Sequence, residues 1–183
     1  MSSRLPVESP DTVSLIIALL VRFPEIASVR SFPATGTVRF SFVTACKLDR
    51  AAQTAVVDLI DEHIQSLLQL GEERPNALHV ECETDKAVTF VHLTRDLASF
   101  TKEELLMLVG LLSQRFGETL VRNPAAEENA DEDPVAQEEL VDYAIDSMRD
   151  PQQQKSLVGF REEKRVLVYF LKAGKKAKGS ARS

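Results

Sequence analysis

Residues 49–95, DRAAQTAVVDLIDEHIQSLLQLGEERPNALHVECETDKAVTFVHLTR, decide the fold. Asp49 is a helix-capping residue, and Ala52, Val56, Leu59, Ile60, Ile64, Leu67 and Leu68 recur at helical spacing up to a stop at Gly71. Beyond Pro75 the period changes. Leu78, Val80 and Cys82 alternate with His79, Glu81 and Glu83, the two-residue repeat of a half-buried strand. A turn at Thr84-Asp85-Lys86 then returns the chain into a second strand over 87–93. The unit is a helix followed by a hairpin.

The same order recurs on both sides of this stretch, at 11–46 and 134–171. Ser9-Pro10-Asp11 announces a first helix, with strands following at 27–32 and 37–45 around Pro33-Ala34-Thr35-Gly36. Pro134 opens a last helix with a stripe of Leu140, Val141, Ala144, Ile145 and Met148. Strands at 156–161 and 165–171 follow, turning at Glu162-Glu163-Lys164. Because 166–171 is apolar on both faces, the pattern predicts a strand buried inside the sheet. Between the second and third units, Thr101 and Glu104 predict a capping box for a helix ending at Phe116-Gly117. Its centre, 105–112, is apolar all round, so it should meet another helix or a second subunit as well as the sheet. A short strand is read at 118–122.

These elements predict an α+β fold: an antiparallel sheet built from αββ units, with helices packed mainly on one face. An alternative takes 37–122 as a ferredoxin-like β-α-β-β-α-β core, in which the strand at 27–32 has no place beside the strand at 37–45. The recurrence of Val38-x-Phe40-x-x-x-Thr44 as Val88-x-Phe90-x-x-x-Thr94 leans slightly towards the repeat.

The 183 residues suit one domain with an appendage, and 44% hydrophobic against 27% charged residues is an ordinary globular balance. The net charge of −6 conceals an asymmetry: 1–122 carries −4, 123–150 carries −9 and 151–183 carries +7. Accordingly 1–122 is expected to be the core domain and 123–133 an acidic linker. Residues 134–171 should pack on or extend that core, and 172–183 should form a basic disordered tail. The apolar run at 15–21 is far shorter than a spanning helix and is preceded by Glu8 and Asp11, so a buried helix is expected rather than a membrane or export segment. Cys46 and Cys82 do not form a disulfide framework or a zinc motif, and a reducing cytoplasm is the simplest compartment.

No P-loop, GxGxxG, HExxH or GxSxG is present, which removes the usual grounds for proposing catalysis or a cofactor. Three groups carry possible chemistry. His79, Glu81 and Glu83 share a strand face with His92 across the hairpin, the residue types of a metal or proton-transfer site, although a solvated sheet face is the plainer account of them. His63, on the edge of its helix stripe, reads as structural. Arg161, Lys164, Arg165 and Lys172, interleaved with Phe160, Tyr169 and Phe170, have the composition of a single-strand nucleic-acid or partner surface. The leading expectation is a non-catalytic protein acting through protein–protein contact or self-association. RNA or single-strand binding through the basic hairpin and tail is the alternative. A small-ligand or metal-dependent enzyme at His79 and His92 comes third.

Overall fold

The computed structural model describes residues 8–122, 134–150, 156–162 and 165–171, with side chains for all of these except 8–12, 134–138, 162 and 165. The expected acidic linker, the basic tail, Glu163 and Lys164 lie outside the described residues. The element order is α1 (Glu8–Arg22), β1 (Ser28–Phe32), β2 (Thr37–Thr44), α2 (Arg50–Leu70), β3 (Leu78–Asp85), β4 (Val88–Asp96) and α3 (Lys102–Phe116). A short 3₁₀ turn, Gly117–Thr119, precedes α4 (Pro134–Arg149), β5 (Ser156–Glu162) and β6 (Arg165–Leu171).

Local chemistry explains the boundaries. The Asp49 carboxylate accepts the Ala52 N–H at 2.8 Å, and Val56, Ile60, Ile64 and Leu68 then bury one stripe of α2. Lys86 takes a left-handed φ of 55° in the β3–β4 turn, so the pairing closes with Asp85 opposite Val88 around a two-residue loop, tighter than the expected turn. That loop sets the register of every side chain in the hairpin.

All pairings are antiparallel, and the sheet order is β3-β4-β2-β1-β5-β6. The three hairpins are retained, and β5 joins the sheet by pairing Ser28, Val29 and Arg30 of β1 with Phe160, Gly159 and Val158. The ferredoxin-like alternative fails because β1 occupies the place beside β2 that its last strand would need. Residues 118–122 do not form that strand: after the 3₁₀ turn, Leu120 makes only an isolated bridge to Thr44.

The helices lie against the sheet. Val38, Phe40 and Phe42 of β2, Val91 and Leu93 of β4, Val29 of β1 and Leu157 of β5 are buried on that side. Phe40 and Phe100 meet with ring centroids 5.2 Å apart, an aromatic pair worth about 1 kcal/mol beyond its buried area. At Gly159 a Cβ would stand 2.8 Å from Ile16 Cγ2 and 3.0 Å from Leu20 Cδ1, so α1 presses directly on the backbone of β5. The apolar middle of α3 finds its helix partners within the chain, in α2 and α4, while α1 packs on α4. No helix among the described residues is long and apolar enough to cross a membrane.

One expectation is reversed. β6, read as a strand buried in the sheet, is its edge, with Tyr169 51% and Phe170 37% exposed. Apolarity on both faces is the signature of a strand with neighbours on every side, and among the described residues β6 has a sheet neighbour on only one.

Candidate functional site

Strand parity sorts the titratable residues. His79, Glu81 and Glu83 of β3, His92 and Phe90 of β4, and Arg39 and Ser41 of β2 share the sheet face opposite the helices, linked by the pairs Glu81↔His92 and Ser41↔His92. The two imidazoles are not cross-strand partners: the two-residue turn sets His79 opposite Thr94 and Glu81 opposite His92.

A lateral network holds this face. Arg39 Nη2 donates to Glu81 Oε1 at 2.6 Å, and Glu81 Oε2 is 3.5 Å from His79 Nε2. His92, buried in mid-sheet, places Nδ1 2.7 Å from Ser41 Oγ and Nε2 3.5 Å from Glu83 Oε2, and stacks on Phe90. Burial foremost, and then the Arg39 charge, hold the His92 pKa below its ordinary value against the opposing pull of Glu83 and Glu81. A neutral ring with its proton towards Glu83 leaves Nδ1 to accept the Ser41 hydroxyl.

Serine, histidine and carboxylate in contact invite comparison with a nucleophilic site, but here the serine is held within the sheet. Ser41 is 7% exposed in the middle of β2, whose backbone is paired on both sides, so no N–H is turned towards an oxyanion. Among the described residues no group of three or more His, Cys, Asp and Glu could hold a metal ion. The shallow groove near the end of α2, lined by Gln69, Glu73 and Arg74 among others, includes none of the sheet-face residues.

The strongest polar cluster escaped the sequence reading. Arg95 is fully buried beneath α3. Its Nε donates to Glu104 Oε2 at 2.7 Å, and its Nη2 to Glu104 Oε1 at 3.0 Å and to Ser99 Oγ at 3.1 Å. Nη1 donates to the Ala77 carbonyl at 3.0 Å and to Asp96 Oδ1. All five guanidinium donors are satisfied. Burial raises the Glu104 pKa despite Arg95, whereas for Asp96 the upward push of burial is overcome by hydrogen bonds from Ser99 and Ala77 together with the Arg95 charge, and its pKa is lowered. Glu104 therefore completes only half of the expected capping box: its N–H reaches Thr101 Oγ1, but its carboxylate turns to Arg95. The available signal was parity. Arg95 follows Val91 and Leu93 on the core face of β4, where a cation requires a buried partner.

Arg161, read as a candidate for nucleic acid, is turned inward. Nε donates to the Ile26 carbonyl at 2.9 Å and Nη2 to the carbonyls of Phe23, at 2.6 Å, and Leu20. It closes the C-terminal end of α1, and burial lowers its pKa to about 10. Lys164, Lys172 and the side chain of Arg165 lie outside the described residues.

The two sheet edges are chemically unlike. The β3 edge bears His79, Glu81, Glu83 and Asp85, and charged side chains discourage the addition of a further strand. β6 reads Val-Leu-Val-Tyr-Phe-Leu after Arg165 without a charge, and no described strand pairs with its outer side. Val166 and Val168 pack against the core, while Tyr169 and Phe170 are exposed. No family model, curated protein or solved structure matches this chain.

Proposed function

We propose that this chain is a non-catalytic protein-interaction module that recruits an extended protein segment to the outer edge of β6. The observation that carries the reading is the contrast between the edges, one charged and one a continuous apolar strand whose outer side pairs with no described strand. Main-chain hydrogen bonds supply affinity in such strand addition, and alternate side chains supply selectivity. Of the three over-apolar stretches, those in α1 and α3 are covered within the chain, with Ile16, Leu19, Leu20, Leu105, Leu108 and Leu112 buried. Of these three stretches, β6 is the one with large exposed hydrophobics among the described residues, at Tyr169 and Phe170.

The test places a photo-crosslinking phenylalanine analogue at Tyr169 of the full chain in its own cells. Proline is then introduced at Leu167 or at Val168. Backbone N–H groups alternate in direction along a strand, so one of the two prolines removes an outward donor while sparing the pairing with β5. Higher-mass adducts lost with that proline are expected. Absence of adducts, or adducts indifferent to both prolines, overturns the reading.

A further inference from the structure

We propose that the sheet face turned away from the helices binds single-stranded nucleic acid across β1, β5 and β6, with Phe32, Phe160 and Tyr169 as base-stacking rings and Arg30 as the phosphate contact. The site is the face of these strands and not the outer edge of β6, so it stands independently of the strand-addition reading.

Strand parity assembles it. Val29 of β1 is buried towards the helices and α1 presses on Gly159 of β5, so Arg30, Phe32, Val158 and Phe160 alternate to the other face. The Val158↔Tyr169 pair holds β6 in phase, and the Phe160 and Tyr169 rings meet on this face with centroids 5.7 Å apart. One cross-strand row therefore reads Arg39, Arg30, Val158 and Tyr169 over β2, β1, β5 and β6.

Within that row Arg30 stands directly opposite Arg39, and like charges so placed destabilise a sheet. The two side chains answer differently. Arg39 reaches across β4 to Glu81 at 2.6 Å. Arg30 is exposed, forms no ion pair among the described residues, and lies with Cζ 4.7 Å from the Phe32 ring centroid. A guanidinium without a carboxylate, set among rings of which Tyr169 is half exposed, is complementary to an anion joined to a flat apolar group. A single strand repeats that combination, phosphate and unpaired base, at every nucleotide. An acidic peptide would satisfy Arg30 and leave the rings unused, and a duplex keeps its bases stacked away from them. Glu81 and Glu83 of β3 share this face but lie beyond β4 and β2, where they repel phosphate and confine the strand to the Arg30 side. Composition points to this chemistry through Phe160 and Tyr169 with Arg161 as the cation; Arg161 faces inward, and Arg30 takes its place.

The test is fluorescence anisotropy of the full chain with a labelled oligothymidylate of about twelve nucleotides, titrated over a salt series. Arg30→Ala and Tyr169→Ala, both at exposed positions, are expected to weaken binding roughly tenfold each, while Tyr169→Phe, which keeps the ring, retains it. Arg30→Ala should also reduce the slope of log K against log salt by about 0.7, the loss of one phosphate contact, and Tyr169→Ala should leave that slope unchanged. Tyr143→Ala, at an exposed ring on α4, should have no effect. A chain with Lys175, Lys176 and Lys178 replaced by glutamine should keep the dependence on Tyr169. Thermal melts establish that each variant folds, and competition by polyglutamate or by the corresponding duplex uses the unmodified chain. Absence of binding at low salt overturns the proposal. So does binding that survives Arg30→Ala and Tyr169→Ala but is lost with the tail lysines, or that polyglutamate or the duplex displaces as well as the single strand does, because charge alone then accounts for it.

Discussion

Arg95 shows how one residue sets a requirement that its surroundings must meet. A guanidinium with no exposure is tolerated only because two carboxylates, a hydroxyl and a carbonyl receive all of its donors. Glu104→Ala is expected to destabilise the chain by about 3–5 kcal/mol, read by urea unfolding, because the cation would remain buried without one of its two carboxylates, which accepts two of its five hydrogen bonds. Replacing both members with Arg95→Met and Glu104→Leu should recover much of that loss, since apolar side chains of similar size need no partners. His92 makes a different demand, on pH. Its folded pKa lies below its ordinary 6.5, so the unfolded chain binds the proton more readily, and stability present above pH 6.5 is lost as pH falls towards the folded value. Asp96 acts in the same direction but lower, its stability being lost below about its ordinary 3.8. The melting temperature should therefore fall between pH 7 and pH 5, and His92→Gln should flatten that fall without altering the drop below pH 4. A decline between pH 7 and 5 as steep in His92→Gln as in the parent would refute the assignment.

At the scale of elements, contact between α1 and the C-terminal hairpin is governed by Gly159 and Arg161. Gly159→Val should destabilise by about 1–3 kcal/mol, since the new side chain would overlap Ile16 and Leu20. Adding Ile16→Ala should return part of it, and urea unfolding of the single and double variants measures the coupling. Arg161→Met should cost about 1–3 kcal/mol by leaving the carbonyls of Leu20, Phe23 and Ile26 without that donor. Neither element announces this in its own sequence. The helices were legible because their buried stripes are long and their caps local, as Asp49 with Ala52 illustrates. The β3–β4 register was not, because one residue of turn length moves every partner, and the left-handed Lys86 in a two-residue loop is not a residue preference one would read.

For the whole molecule, the C-terminal unit completes the core that the first part leaves open. β5 covers the edge of β1, and Val141, Ala144, Ile145 and Met148 of α4 are buried. A chain ending at Arg122 should therefore expose the outer face of α1, bind a hydrophobic dye and self-associate indiscriminately, whereas the full chain should not; equal dye binding by both would contradict the account. The same completion moves the edge of the sheet from β1 to β6, where the proposed interaction would take place. Sequence by itself determined the α+β class, the order of helices and hairpins, and which face of each strand is apolar. Those features depend on spacing between near neighbours, which the chain carries locally. Tertiary structure alone decided that β5 joins β1, that α3 is covered by α2 and α4, and that β6 ends the sheet. A strand apolar on both faces reads alike in the middle of a sheet and at its margin, because the difference lies in what pairs with its backbone, and no side chain records that.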